Sequence, residues 1–130
     1  MKDPHTILGI GTDIIEIERI AMSLNRHGDH FLKRIFTPKE QEYAAKFKNN
    51  EATLAGRFAA KEAVAKALGT GIREDIGWKD IEILNDELGR PYVILADHLK
   101  VRFQNPNILI SISHSKAYAT AFAIWQPSHH

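Results

Sequence analysis

The chain has 130 residues, of which 44% are hydrophobic and 25% charged, with a formal charge of +1 and no cysteine. The missing cysteine excludes disulfide staples, thiolate nucleophiles and Cys-ligated zinc, and a near-neutral charge with no long basic run excludes a general nucleic-acid binder. Apolar runs fall far short of the roughly 20 residues that cross a bilayer, and no basic-then-apolar leader opens the chain, so one cytoplasmic domain over 1–130 is expected, with no membrane or nucleic-acid partner.

Residues 6–12 read as a first strand. The spacing of Ile17, Ile20, Ala21 and Leu24 then predicts a helix ending near Gly28. Thr37-Pro38-Lys39-Glu40 is a capping box with proline at the first helical position, predicting a short helix to about residue 47. After the polar Lys48-Asn49-Asn50, strong helix formers run from about Glu51 to Leu68 and stop at Gly69 and Gly71. Asp80–Asn85 and Pro91–Leu95 read as strands joined by Asp86-Glu87-Leu88-Gly89-Arg90, and 96–104 as a short helix. Ile108–His114 and Ala117–Trp125 alternate around a tight Ser115-Lys116 turn. This order predicts an α+β fold, an antiparallel sheet packed against the long helix.

Several residues carry possible chemistry. Alternation puts Gly9, Gly11 and Asp13 on one side of the first strand, and the two glycines leave that side open to close approach by a backbone, helix or ligand. Asp13, placed at the strand end, reads either as the cap of the following helix or as a ligand. In the long helix, Leu54, Phe58, Ala65 and Leu68 form an apolar stripe in which Lys61 sits, with Glu62 on its flank. Glu62 reads either as a solvated partner of Lys66 or, with Asp13, as a pair of hard oxygens suited to Mg²⁺. Arg57, Lys61 and Lys66 around it suit a phosphorylated ligand.

His114 continues the apolar row Ile108, Ile110, Ile112 beside Ser113, Ser115 and Lys116, and reads as a structural residue or a ligand contact. Ala119, Ala121 and Ala123 make a small face that admits a close neighbour, whether an element or another subunit. On the first helix Arg19, Met22 and Arg26 face away from the core at i, i+3 and i+7. That row reads as a solvated face or as a docking surface for an acidic amphipathic helix, extended by Phe31 and Arg34. The closing His129-His130 pair carries no functional weight.

The motifs assemble into a resemblance. Gly9-Ile10-Gly11-Thr12-Asp13, Arg34-Ile35-Phe36-Thr37, Gly56-Arg57-Phe58-Ala59-Ala60-Lys61-Glu62-Ala63 with Lys66-Ala67, Gly89-Arg90-Pro91 and Ser111-Ile112-Ser113-His114-Ser115 stand at separations specific in combination. The chain resembles the holo-[acyl-carrier-protein] synthases, the small bacterial phosphopantetheinyl transferases, almost end to end. The resemblance implies the 4′-phosphopantetheinyl transferase fold and transfer of 4′-phosphopantetheine from coenzyme A to a serine of apo-acyl-carrier protein. Adenosine 3′,5′-bisphosphate would be released, in support of fatty acid biosynthesis. It further implies a homotrimer with sites between protomers, Mg²⁺ held by Asp13 and Glu62, and Lys66 at the pyrophosphate. Arg57, Arg90, His114 and Ser115 become candidate contacts to the nucleotide end of coenzyme A, and Arg19, Met22 and Arg26 the carrier surface. Either Glu62 or a metal-bound water could take the serine proton. The rival readings are a non-catalytic coenzyme A or carrier-binding module and a Mg²⁺-dependent phosphohydrolase.

Overall fold

The computed structural model describes residues 3–73 and 75–128; the His129-His130 pair lies outside the described residues. Strand β1 (Gly9–Glu16) is followed by α1 (Ile17–His27), α2 (Asp29–Ile35), α3 (Pro38–Ala44) and the long α4 (Glu51–Ala67). The second half runs β2 (Ile81–Asn85), β3 (Pro91–Leu95), α5 (Asp97–Arg102), β4 (Asn107–His114) and β5 (Tyr118–Gln126). A 3-10 turn at Trp78–Asp80 leads into β2. Strands β1, β5 and β4 make one antiparallel sheet in that order, and β2 pairs with β3 in a separate hairpin. The fold is α+β, with the three-stranded sheet laid against α4.

Small residues let α4 and the sheet come together. A Cβ on Gly11 would lie 2.0 Å from the Ala63 carbonyl oxygen, and one on Gly9 2.0 Å from that of Ala67. Ala119, Ala121 and Ala123 of β5 are buried against the same helix. The neighbour admitted by both the bare strand and the alanine face is therefore α4. The helix ends as its glycines predict: Gly69, at φ 85°, donates to the Lys66 carbonyl, and Thr70 to that of Ala65.

The structure departs from the sequence reading in five places. β1 runs on through Asp13 to Glu16, because its pairing with β5 continues from Gly9–Trp125 to Glu16–Tyr118. Asp13 is thus mid-strand, opposite Ala121, and the cap position of α1 belongs to Glu16, whose side chain makes no capping bond. The capping box of α3 forms as expected, but the helix ends at Ala44. α2 had no counterpart in the sequence reading. It turns Phe31 edge-on to Phe36 with ring centroids 6.1 Å apart, so Phe31 packs on the core rather than extending an exposed docking row.

The fifth departure concerns α4, which is buried nearly all round rather than along one stripe. Lys61 and Glu40 are both 0% exposed and lie 2.7 Å apart. The Lys61 ammonium also donates to the carbonyls of Trp78 and Ile81, each at 2.8 Å. Lys61 is therefore an interior side chain and not one of the cations open to a phosphorylated ligand. Its burial pulls its pKa below the ordinary lysine value, while the Glu40 carboxylate opposes that pull.

Replacing Gly11 with alanine should lower the unfolding free energy by about 3 kcal/mol, because the helix backbone that it strikes cannot yield cheaply. Gly89→Ala, at an open turn with φ 85°, should cost only about 1–2 kcal/mol. Urea unfolding of the two variants checks the difference, and equal losses would refute the close-approach argument.

Candidate active site

Strand alternation turns Asp13 to the same side as Gly9 and Gly11, toward α4. Lys66, half exposed on the last turn of α4, places its Nζ 3.0 Å from Asp13 Oδ1 and 3.1 Å from the Thr12 carbonyl. One helical turn back stands Glu62, partly buried. Its carboxyl is pushed above the usual range, first by burial and then by the nearby Asp13 charge, with Lys66 pulling the other way. Three expected residues from two distant segments thus converge: two carboxylates and one ammonium at a half-open edge of the helix–sheet seam. Glu62 is not ion-paired with Lys66 among the described residues; Lys66 reaches Asp13 instead.

The donor set suits a hard divalent cation. Two carboxylates leave most of an octahedron for water and phosphate oxygens, the usual arrangement for Mg²⁺. Among the described residues no cluster of three or more His, Asp or Glu side chains could form a closed metal cage.

The other expected contacts occupy two further places. His114 ends β4 on the helix-facing side, opposite Ala119 of β5, and is exposed. It stands about 10 Å across two strand spacings from β1. Ser115 accepts at its Oγ from the backbone N–H groups of Ala117 (3.4 Å) and Tyr118 (3.2 Å), so its hydroxyl builds the β4–β5 turn.

Arg57 and Arg90 lie together elsewhere. Arg57 is buried, donates to the Asn85 side-chain oxygen, and stacks 4.3 Å over the Tyr43 ring. Burial lowers its pKa and Glu40 opposes the shift. The Asn85 amide in turn donates to the Gly89 carbonyl at 2.9 Å, beside the exposed Arg90, which pairs with Asp86 at 3.1 Å. Arg57 leaves α4 about 140° around the helix from Glu62, five residues away. Within one chain, then, Arg57 does not join Asp13, Glu62 and Lys66.

Arg19, Met22 and Arg26 are exposed on α1 as expected, and with Ser23 and His27 they line a shallow depression. What sequence reasoning missed were the partners: Thr12 through its carbonyl, Tyr43 and Asn85 under Arg57, and Glu40 under Lys61. Only Glu40 carried a signal, as the capping-box acid, and that signal spoke for one of its two oxygens.

The model of the 4′-phosphopantetheinyl transferase superfamily matches residues 9–123. A holo-[acyl-carrier-protein] synthase of Protochlamydia amoebophila is 57% identical over 118 residues, covering 91% of this chain and 97% of the relative. The crystal structure of a Bacillus anthracis holo-(acyl-carrier-protein) synthase in complex with CoA (3′,5′-ADP) is 40% identical, with a TM-score of 0.81 over 94% of this chain and 98% of that one. The Helicobacter pylori holo-[acyl-carrier-protein] synthase in complex with coenzyme A is 34% identical, with a TM-score of 0.83 over 90% and 99%. Match and geometry agree over nearly the whole length: this chain belongs to the 4′-phosphopantetheinyl transferase superfamily.

Proposed function

We propose that this protein is a holo-[acyl-carrier-protein] synthase. It transfers 4′-phosphopantetheine from coenzyme A to a serine hydroxyl of an apo-acyl-carrier protein and releases adenosine 3′,5′-bisphosphate. The observation that carries the reading is the convergence of Asp13, Glu62 and Lys66 from β1 and α4. The names of the relatives and the coenzyme A complexes of similar structures support it. Supply of holo-carrier to cytoplasmic fatty acid biosynthesis is the role that follows.

The serine oxygen attacks the phosphorus that bears the pantetheine arm, and the bond to the adenosine-side phosphate breaks, its electron pair leaving on that phosphate. Asp13 and Glu62 would hold Mg²⁺, which when bound neutralises charge on the pyrophosphate. Lys66 brings its ammonium to where negative charge grows on the leaving phosphate. A base beside the two carboxylates takes the serine proton. Positioning supplies much of the remaining rate.

A second copy of the chain completes the site. The sheet face turned away from α4 is apolar and open, with Ile10 61%, Ile14 63%, Leu109 50% and Phe122 42% exposed. A contiguous patch of this kind marks an interface. Arg90, exposed on the β2–β3 hairpin, stands apart from the carboxylates within one chain, as it would if the nucleotide end of coenzyme A were held by the neighbouring protomer of a homotrimer, while buried Arg57 ties that hairpin to α4 through Asn85. Arg19, Met22 and Arg26 form the carrier surface, cationic around one flexible apolar side chain, and Arg34 of α2 is exposed beyond them.

Three measurements follow. Incubated with coenzyme A, Mg²⁺ and apo-carrier, the protein should add one phosphopantetheinyl group to the carrier, read by mass; Glu62→Gln should lose at least about 100-fold in rate with the fold unchanged. Hydrolysed coenzyme A beside an unmodified carrier would instead mean a phosphohydrolase, and no reaction a binding module. Arg19→Glu should raise KM for the carrier by about 10-fold and leave coenzyme A binding unchanged, with added salt mimicking the effect; equal loss of both would sink that assignment. Sedimentation equilibrium should find three chains per particle, and Phe122→Lys should dissociate them. A wild-type monomer would remove the shared site.

A further inference from the structure

The contact that brings α4 onto β1 is made of glycines, alanine methyls and backbone. Such a surface sets how deeply the helix sits, but it has few ridges to fix how far the helix is rotated. Glu62 and Lys66 hang on that rotation. Their side chains lie near the outer radius of the helix, where a turn of about 10° moves a charged group by about 1 Å.

On the opposite side, one residue before Glu62, the Lys61 ammonium spends its three protons on three fixed acceptors. These are Glu40 Oε1 at 2.7 Å and the carbonyls of Trp78 and Ile81 at 2.8 Å each. The acceptors come from α3, from the 3-10 turn and from the start of β2. Glu40 is itself held from both oxygens: Oε1 accepts from the Thr37 N–H and Oε2 from the Ile83 N–H, each at 2.8 Å. Neither side chain has any exposure. A buried ion pair is weak evidence for stability, whereas its fixed directions are strong geometric constraints.

We infer that the buried Lys61–Glu40 pair is a positioning element for the transfer reaction, fixing the rotation of α4 so that Glu62 and Lys66 face Asp13. Lys61 touches no substrate in this reading, and its effect on rate runs through its neighbour on the helix. The inference rests on the proposed transfer activity, but part of its test does not require transfer.

The test compares Lys61→Met and Glu40→Gln with Leu99→Ala, a core truncation on α5 at a residue 1% exposed. Each variant is assayed well below its own melting temperature, with near-UV circular dichroism confirming the fold. Two quantities are read: Mn²⁺ affinity by water proton relaxation, and kcat and KM for transfer to the apo-carrier. Misplacing Glu62 and Lys66 by about 1 Å should lower kcat about 10- to 100-fold in Lys61→Met and Glu40→Gln, with each KM within about 3-fold of wild type. Mn²⁺ affinity should fall by about 10-fold in the same two variants. Leu99→Ala should keep kcat and Mn²⁺ affinity within about 2-fold despite a lower melting temperature.

A folded Lys61→Met or Glu40→Gln protein with wild-type kcat and Mn²⁺ affinity would overturn the inference. So would equal losses in Leu99→Ala, which would reduce the pair to a stability role. If Lys61→Met does not fold, Glu40→Gln, nearly isosteric, decides alone. A wild-type protein that binds Mn²⁺ but modifies no carrier would refute the transferase reading, while the Mn²⁺ comparison would still judge the pair.

Discussion

The fold depends on the distance between one helix and one strand. β1 contributes two residues without side chains at the points where the α4 backbone lies over it, and the helix answers with alanine. A larger residue at either glycine would drive a carbon into a carbonyl oxygen, so the approach is a hard steric constraint rather than a preference. That closeness brings a strand carboxylate within reach of a lysine on the helix, 3.0 Å away. The same closeness half-buries Glu62 beside Asp13, which holds its carboxyl above the usual range.

Close packing of small residues sets depth and leaves rotation to be settled elsewhere. Here the far side of α4 carries a lysine and an arginine in the interior, each engaged by named groups of α3 and of the β2–β3 hairpin. Burying two cations is expensive, and apolar residues of similar volume would often be at least as stable. Their directional bonds add fixed angles to the apolar packing around the helix. Arg57 adds a link through Asn85 to Gly89, so the hairpin that carries Arg90 is tied to the helix that carries Glu62.

The surface repeats this division. One face of the three-stranded sheet is closed by α4, and the other leaves isoleucines and a phenylalanine in solvent. On α1 stands a row of different character, two arginines flanking a methionine. A broad apolar face and a narrow cationic one differ in what they favour, apolar contact for the first and negative charge for the second.

How much of this was legible beforehand follows from the range over which each feature is determined. The helix stop at Gly69, the α3 capping box, the hairpin around Gly89 and the alternating β4–β5 pair are local, decided by backbone freedom, capping and period, and the sequence alone determined them. The spacing of its motifs also determined the family, and with it the expectation that Asp13, Glu62 and Lys66 act together. The end of β1 was not legible, because strand pairing with β5, more than a hundred residues away, overrode a plausible cap at Asp13. Nor was the fate of Lys61: a lysine on an apolar stripe could reach solvent, a partner or a buried carboxylate. Only the tertiary structure, by enclosing Glu40 against the same helix, decided between them, since a buried charge is tolerable only where its counter-charge and its remaining acceptors are already in place.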